Sequence, residues 1–377
     1  MSAFDTPCPE ETGATLTVDL GALQANWRLL RDRAGRAECG AVVKANAYGL
    51  GIEPAVTALA KAGCRSFFVA HLSEGRRVRA VARDARIYIL NGLLPGTCAA
   101  YAETRLSPVI GSHEELAEWS AYRTSHNLPI GGALHVDTGM NRLGFSVEAA
   151  HALSKDMSGQ IIDAGLDLLM THFSASEAPS DPANAQQIAA FATLAAAFPA
   201  LPASLKNSSG HFLDGAPSYA LTRPGYALYG GKPVPDQPNP MQPVIGLEAR
   251  IIQLREVPDG TRVGYNGRWT AHGRRKLATI NLGYADGYPR PASASDLDTG
   301  GAAMVGGVRC PFAGTVSMDL IIVDVTEAPA EALTRGAPVL LIGGGLDLDD
   351  VGVAARTIGY EMLTSLGKRY ARRYTGL

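Results

Sequence analysis

Eight short apolar runs alternate with stretches of helical periodicity between residues 20 and 230, and this alternation constrains the fold more than any other feature. In the first helical stretch, Leu20–Ala34, apolar side chains recur every three or four residues and form one face of a helix. Eight strand–helix units predict an α/β fold of the (β/α)8 TIM-barrel type, which typically takes about 250 residues. The predicted strands are 39–44, 66–70, 86–90, 108–110, 133–137, 166–171, 203–207 and 221–229.

The pattern changes after a proline-rich segment at residues 232–243. Strand-like runs then follow one another with glycine turns between them, which predicts an antiparallel, mostly β domain. A helical stretch is expected at 350–372. We therefore predict two domains, a barrel domain at residues 1–240 and a C-terminal β-rich domain at 241–377. The predicted strands of the second domain are 249–257, 262–265, 277–282, 302–305, 315–325 and 338–342.

Composition and charge limit the partners of the protein. Hydrophobic residues make up 46% of the chain and charged residues 19%, which is typical of a folded globular protein. A formal net charge of -2 provides no basic surface for nucleic acid or for a membrane. The start, MSAFDTPCPE, lacks the cationic and apolar regions of a secretory signal. We therefore expect a cytoplasmic protein that acts on a small molecule.

The cysteines and histidines predict neither a disulfide framework nor a metal site. No two cysteines form a C-x-x-C pair, and no histidine pair has the spacing of a metalloprotease helix. An odd number of scattered cysteines fits a reducing compartment. They are Cys8, Cys39, Cys64, Cys98 and Cys310.

A single lysine ends the first predicted strand, in the segment AVVKANAYGLG that starts at Ala41. Lys44 follows β-branched apolar residues, and a charged amine is costly to bury there, so we expect it to lose its proton readily. A neutral amine can form a Schiff base with an aldehyde cofactor. Taken alone, the same pattern would also fit a surface lysine in a turn.

Polar residues follow several other predicted strands. They occur at 137–142 after the fifth strand, at His172 after the sixth, at 207–210 after the seventh and at 223–226 within the eighth. The carboxyl ends of barrel strands form one rim, where barrels carry their chemistry and commonly bind phosphate after strands seven and eight. An amine at Lys44 and a phosphate cup at Ser208 and Gly225 suggest pyridoxal 5′-phosphate (PLP).

Nearly the whole chain resembles the alanine racemases, which are barrel-type PLP enzymes. Two of the motifs, AVVKANAYGLG and RPGYALYG, are highly specific in this order. The others that carry the resemblance are HVDTGMNRLGF, THFSAS, NSSG, VGYNGRWTA, LGYADGYPR, GTVSMDLIIVDVT and IGYEMLTSLGKRY.

The resemblance implies a pair of catalytic residues. Lys44 is similar to the lysine that carries PLP and exchanges the proton of D-alanine, and Tyr265 is similar to the tyrosine that serves L-alanine. Inverting a carbon centre requires a base on one face and an acid on the other, which two such groups supply. The residues implied to bind the cofactor are Lys44, Tyr48, His172, Asn207, Ser208, Arg223, Gly225, Tyr226 and Tyr360.

The resemblance also implies a substrate site and a partner. Arg142 is similar to the arginine near the cofactor's phenolic oxygen and the substrate carboxylate, and Met318, Asp319 and Tyr284 match the far side of the substrate site. In the family these β-domain groups reach the barrel of the other subunit, which implies a homodimer with shared sites. Tyr284 and Tyr360 would crowd a long side chain and so favour alanine.

Arg223 bears on the choice between PLP reactions. The family implies a hydrogen-bond chain from Arg223 through His172 to Tyr265, which would stabilise the phenolate. An arginine is only a donor, so it leaves the pyridine nitrogen of PLP unprotonated and the electron sink weak. This favours racemisation over decarboxylation, and the expected product is D-alanine for peptidoglycan.

Three alternatives have distinct sequence signatures. An amino-acid decarboxylase of the same plan would carry an acidic residue where Arg223 stands. A non-catalytic PLP-binding protein of the single-barrel kind would lack the β domain that carries Tyr265. A serine racemase or a racemase of broad specificity stays open on the sequence.

His135 departs from the family pattern. Many alanine racemases carry there a lysine that becomes carbamylated and holds the arginine equivalent to Arg142. An imidazole forms no stable carbamate of that kind. We hypothesise that neutral His135 accepts a hydrogen bond from Arg142 or that a small anion bridges them, because two neighbouring cations would repel. The alternative is that His135 merely fills the barrel interior.

Overall fold

The computed structural model of the protein describes residues 10–155 and 160–376, so Cys8 and the segment considered for secretion lie outside the described residues. The chain forms two compact units. One is Leu23–Gln242, and the other is Pro243–Leu377 together with the N-terminal segment through Ala22. We predicted that residues 1–240 form one domain, but the N-terminal strand β1 (Ala14–Asp19) belongs to the second unit.

The first unit is a ring of parallel strands. Strands β3 to β9 form a continuous parallel sheet, and β10 pairs in parallel with β2, which continues into β3 after Gly40. Backbone bonds from Ala220 N to Ala203 O (3.0 Å) and from Arg223 N to Lys206 O (2.8 Å) close the ring between β9 and β10. The strands are β2 (Glu38–Cys39), β3 (Ala41–Val42), β4 (Ser66–Val69), β5 (Arg86–Ile89), β6 (Ser107–Ile110), β7 (Gly132–His135), β8 (Leu166–Met170), β9 (Ala203–Ser204) and β10 (Leu221–Thr222).

Amphipathic helices surround this ring, which confirms the predicted barrel. Leu23, Trp27 and Leu30 of the first helix are buried, as the periodicity predicts. Ser112 and Asp181 cap later helices by accepting bonds from backbone amides of the first turn. The helices are Leu20–Ala34, Ile52–Ala62, Leu72–Val81, Cys98–Thr104, His113–His126, Val147–Lys155, Gln160–Asp163 and Pro182–Ala197.

The second unit is mostly antiparallel. Its main sheet has the order β16-β15-β18-β11-β1-β19, and β14 bridges β11 and β17. The exception is β1, which pairs in parallel with β19 and antiparallel with β11. The strands are β11 (Ile245–Val257), β12 (Arg262–Val263), β13 (Trp269–Thr270), β14 (Arg275–Ile280), β15 (Ala302–Val305), β16 (Val308–Pro311), β17 (Ile321–Asp324), β18 (Pro338–Ile342) and β19 (Ala371–Thr375).

The predicted helical stretch at 350–372 was wrong as one element. It comprises two short helices, Leu348–Ala354 and Gly359–Ser365, and then the start of β19. Arg356 has a φ of 56°, a left-handed conformation that ends the first helix. Within the described residues, no helix is long and apolar enough to cross a membrane.

Candidate active site

Lys44 begins a left-handed turn that leaves the end of β3. Ala45, Asn46, Ala47 and Tyr48 all have φ between 53° and 58°. Such a conformation costs about 1–2 kcal/mol per L-residue, so surrounding bonds must hold it. The turn therefore aims Lys44 by a strained backbone, a feature that concentrates at functional sites.

Polar side chains hold this turn in place. The Asn46 Oδ1 atom accepts bonds from the amide of Ile52 (3.1 Å) and from Arg77 (2.8 Å). Arg77 in turn forms a two-pronged ion pair with Glu53 at 2.6 and 2.7 Å. The Glu74 carboxylate accepts the Asn46 amide at 3.3 Å and also accepts two amides that follow β4. Sequence reasoning missed this support, because its members lie on three separate segments.

The Lys44 amine is less basic than an ordinary lysine. Burial, and then the nearby charge of Arg142, lowers its pKa, which is the direction expected from the sequence. A larger fraction of the amine is therefore neutral at pH 7 and available as a nucleophile or base.

A hydroxyl that accepts two backbone amides lies at the ends of the last two barrel strands. The Ser208 Oγ atom accepts bonds from the amides of Gly225 (2.9 Å) and Ala227 (3.2 Å). A Cβ at residue 225 would lie 2.5 Å from the Tyr48 hydroxyl oxygen, so glycine there lets the Tyr48 hydroxyl approach the backbone closely. Tyr226 is buried beside this cup. Amides converging on one point suit an anion such as phosphate.

Asn207 links this cup to the segment after β8. Its Oδ1 atom accepts bonds from the Ser176 hydroxyl and from the Gly210 amide, both at 2.9 Å. Asn207 therefore holds two rim segments together.

Arg223 is buried beneath the rim. Its guanidinium donates to the Ser204 hydroxyl and to the carbonyl of Thr171, the residue before His172. Burial lowers its pKa to about 9, which leaves it mostly charged at pH 7. Among the described residues no hydrogen bond joins Arg223 to His172, so that link stays a prediction. Burial, followed by the charge of Arg223, lowers the pKa of His172 to about 3, so this imidazole is neutral.

The loop that carries Arg142 is organised by one carboxylate. Asp137 Oδ1 accepts the amides of Gly139 and Met140 at 2.8 Å, and Oδ2 accepts the amide of Arg142 at 3.0 Å. Burial by itself would raise the pKa of the Asp137 carboxyl, but these bonds hold that pKa below its usual range. The Arg142 side chain is exposed.

His135 ends β7 inside the barrel. Burial, and then the charge of Arg223, lowers its pKa to about 4, so it is neutral at pH 7 as hypothesised. Over residues 10–155 and 160–376, no hydrogen bond joins His135 to Arg142. The neutral state of the hypothesis is supported, and the direct bond is not formed in this structure.

The β-rich unit brings most of its predicted site residues to one place. The amides of Tyr284 and Ala285 donate to the carbonyls of Ser317 (3.0 Å) and Met318 (2.9 Å). A Cβ at Gly283 would lie 2.4 Å from both carbonyl oxygens, so this contact requires glycine.

Asp319 is held by an arginine that sequence reasoning missed. Arg369 pairs with Asp319 at 2.9 Å and with Asp286 at 3.2 Å. Arg369 lies in the motif GKRY near the end of the chain, and only its place in that motif could have indicated it.

Tyr265 and Tyr360 lie on separate local structures of the same unit. Tyr265 opens a short 3-10 turn and is 69% exposed. Tyr360 lies in the first turn of the helix Gly359–Ser365, whose last residue approaches Gly287.

The barrel rim is positively charged. The charge of Arg142 acts on Lys44, and the charges of Arg223, Arg142 and Lys44 all act on His172. The Asp137 carboxylate is occupied by amides. Such a rim favours an anionic ligand. Among the described residues, no group of histidine, cysteine and acidic side chains could hold a metal ion.

The barrel carries a lysine of lowered pKa and a cup with two backbone amides on its rim, and a β-rich unit follows it. Together these features define the class of barrel-type enzymes that act on an anionic ligand. Comparison with known proteins makes this specific. The profile of the alanine racemase N-terminal domain matches residues 18–233, and that of the C-terminal domain matches residues 244–374. The chain belongs to the alanine racemase family, an isomerase family that depends on PLP.

Individual relatives agree with this assignment. An alanine racemase of Methylobacterium nodulans is 57% identical over 364 residues, covering 96% of each chain. Two proteins of Agrobacterium fabrum, named catabolic and biosynthetic alanine racemase, are 45% and 44% identical over 95% and 98% of this chain and 91% and 96% of their own. The Bartonella henselae alanine racemase with covalently bound pyridoxal phosphate has a TM-score of 0.88, at 37% identity over 96% of this chain and 99% of that chain. The predicted family, fold and enzyme class are confirmed.

Proposed function

We propose that this protein interconverts L-alanine and D-alanine with PLP as its cofactor and with one base on each face of the substrate. The observation that carries the proposal is the Lys44 amine, whose pKa is lowered by burial at the same rim as the Ser208 cup. Family membership supplies the reaction class, and the rim supplies residues suited to it.

The rim fits PLP. The amides of Gly225 and Ala227 with the Ser208 hydroxyl would hold the phosphate, and the Tyr48 hydroxyl lies beside Gly225. Lys44 would carry the cofactor. When bound, PLP serves as an electron sink for the charge left on the α-carbon. Further cofactor contacts are proposed for His172, Asn207, Tyr226 and Tyr360.

We propose that two side chains transfer the proton to and from the α-carbon of the substrate. The Lys44 amine, whose pKa is lowered first by burial, takes or returns the proton of D-alanine at its Nζ atom. The Tyr265 hydroxyl does the same for L-alanine on the opposite face. An ordinary tyrosine, with a pKa of about 10, is a poor base at pH 7, so Tyr265 needs neighbours that stabilise its phenolate. We propose that a hydrogen-bond chain from Arg223 through neutral His172 to Tyr265 stabilises this phenolate.

Arg223 also separates racemisation from decarboxylation. It is a buried donor that stays mostly charged, so it cannot take a proton from or return one to a pyridine nitrogen at neutral pH. The substrate carboxylate would bind Arg142, and Met318, Asp319 and Tyr284 would line the far side. The alternative within this class is a serine or broad-specificity racemase.

We further propose a cytoplasmic homodimer with shared sites, in which the partner's Tyr265 faces Lys44. Tyr265 (69% exposed) and Met318 (54% exposed) are accessible to a second copy, as shared sites require. The product would supply D-alanine for peptidoglycan. To test that role, the gene is deleted from the producing organism. We expect the deletion strain to require added D-alanine for growth, and growth without it would contradict the proposal.

The reaction is tested by incubating the purified protein with L-alanine, L-serine or L-lysine and measuring the D-forms by chiral chromatography. We expect D-alanine to form fastest and the variant Lys44→Ala to form none. Equal rates with lysine would favour the broad-specificity alternative. Full activity of Lys44→Ala would overturn the proposal.

The two-base mechanism is tested with Tyr265→Phe by following exchange of the α-proton in deuterated water from each enantiomer. Exchange from L-alanine should fall far more than exchange from D-alanine, since only one face loses its base. Equal losses from both enantiomers would contradict two separate bases.

A further inference from the structure

The helix Pro182–Ala197 buries two amide side chains on the face that it turns toward the barrel. Gln187 is 1% exposed and Asn184 is 3% exposed, beside the apolar Phe191 and Leu194. A buried amide is costly unless its donors and acceptors are bonded. What these two amides bond therefore indicates why they are there.

Gln187 uses all of its bonding capacity on the barrel rim. Its Oε1 atom accepts the Ser174 amide (2.9 Å) and the Ser174 hydroxyl (3.1 Å). Its Nε2 atom donates to the His172 carbonyl (2.9 Å) and to the Thr138 hydroxyl (3.2 Å). One side chain thus joins the segment after β7 to the segment after β8.

These bonds connect Gln187 to the charged groups of the site indirectly, through Thr138 and its neighbours. Thr138 follows Asp137, whose carboxylate holds the amide of Arg142. The Thr138 hydroxyl also bonds the hydroxyl of Thr171 (2.8 Å), and the Thr171 carbonyl accepts the Arg223 guanidinium. Loss of the Gln187 amide would therefore loosen both segments together.

We propose that Gln187 is a positioning residue, which fixes the Arg142 loop and the His172 segment relative to each other. This inference rests on the proposed function, because it assumes that Arg142 and His172 act in the reaction. Gln187 itself reaches the site only through backbone groups and the Thr138 hydroxyl.

Asn184 offers a matched control on the same helix. It is equally buried, but its Nδ2 atom donates only to the carbonyls of Ala175 (3.2 Å) and Ala178 (2.9 Å), further along the loop. The substitution Asn184→Leu removes a buried amide of the same kind without touching Thr138 or His172. A general packing defect would affect both variants alike.

The test compares Gln187→Met, Gln187→Glu and Asn184→Leu. The first keeps the length of the side chain and removes all four bonds, and the second keeps the acceptor and loses both donors. Thr138→Val removes the bond from Gln187 at its other end, together with the bond to Thr171, and serves if the Gln187 variants fold poorly. Hydrogen exchange of apo protein, thermal midpoints and racemisation kinetics are measured for each.

We expect faster amide exchange at 138–142 and 172–174 in the Gln187 and Thr138 variants, and unchanged exchange there in Asn184→Leu. In both Gln187 variants kcat/KM for alanine should fall at least about tenfold, because small displacements of positioned groups cost rate steeply. Asn184→Leu should lose thermal stability and keep kcat/KM within about twofold of the parent.

Equal kinetic losses in Asn184→Leu and Gln187→Met, or unchanged exchange at 138–142 in Gln187→Met, would overturn the inference. An inactive parent protein would overturn the proposed function instead, and the exchange experiment on apo protein would still judge the role of Gln187.

Discussion

At the scale of single residues, the conformation around Lys44 is unfavourable by itself and is stabilised by its neighbours. Four consecutive residues adopt positive φ, and Asn46 is the type among them that best tolerates this region. Its side chain also bonds Ile52 and Arg77. The placement of Lys44 therefore depends on a residue that takes no part in the chemistry.

Asn46→Ala should destabilise the turn by about 1–3 kcal/mol, because it removes two partly buried bonds and the preference for positive φ. We expect a lower denaturation midpoint and weaker PLP retention, followed by cofactor absorbance. Asn46→Gly is the matched control, since glycine restores the freedom of φ but not the bonds. It should fall between Asn46→Ala and the parent protein, and a glycine variant less stable than the alanine variant would argue against stored strain.

His135 leads to a second prediction at this scale. Because its imidazole is half-buried and neutral, with a pKa of about 4, no carbamate is needed to offset a further cation beside Arg142. Activity should be unchanged when carbon dioxide is stripped from the buffer and bicarbonate is added back. His135→Lys supplies the positive control, which should become bicarbonate-dependent. Activity of the parent that falls on degassing and recovers with bicarbonate would refute the prediction.

At the scale of elements, one arginine joins two loops at the amino end of the barrel. Arg79, in the helix Leu72–Val81, donates bonds to five backbone carbonyls that precede β5 and β6. A planar guanidinium can reach so many acceptors, whereas a lysine has three donors at one point. The acceptors are Ala82, Arg83, Ala85, Thr104 and Arg105.

Arg79→Lys should therefore lower stability by about 2–3 kcal/mol while leaving kcat of the folded protein near that of the parent, because the rim lies at the opposite strand ends. Thermal denaturation and steady-state kinetics measure the two effects. Arg76→Lys, at an exposed position of the same helix, should change neither quantity. A large loss of kcat in Arg79→Lys at a temperature where it is folded would contradict this division between stability and chemistry.

At the scale of the whole molecule, three histidines make folding sensitive to acid: His211 is buried, and His135 and His172 are half-buried. Burial is the first cause that lowers the pKa of His135 to about 4 and those of His172 and His211 to about 3. An unfolded histidine, with a pKa of about 6.5, takes up its proton first as the pH falls. The contribution of these neutral histidines to the free energy of unfolding is therefore fully present above about pH 6.5. It is lost as the pH falls from there toward the pKa values of the folded state.

His211→Leu isolates one of these contributions outside the proposed site. Each of the three histidines should remove about 2 kcal/mol of stability between pH 7.5 and pH 5. The difference in unfolding free energy between the parent and His211→Leu should change by that amount over this range, as measured by urea denaturation. A pH-independent difference would show that His211 does not titrate as its burial implies.

Shared sites lead to a prediction about assembly. Lys44→Ala and Tyr265→Phe subunits should each be impaired, and a heterodimer should contain one site with both parental residues. Mixing the two variants by joint refolding should restore part of the activity if the partner's Tyr265 serves Lys44. No recovery in a verified heterodimer would favour self-contained subunits.

The sequence by itself determined the features that depend on neighbouring residues. Apolar periodicity located the eight barrel strands and the change to β structure, because strand and helix preferences are expressed over a few residues. The motifs around Lys44 and Arg223 identified the family. The position of Lys44 at a strand end, and hence the fall in its pKa, followed from the same local pattern.

Tertiary structure alone decided which distant segments meet. It assigned β1 to the sheet of β11 and β19, since a strand selects its partners by hydrogen bonds to residues far along the chain. It also placed Gln187 against its acceptors, the Thr138 hydroxyl and the His172 carbonyl, which lie 49 and 15 residues away in the sequence. The sequence alone shows only a polar residue on an apolar helix. Burial and bond partners are properties of the closed barrel, and no local pattern encodes them.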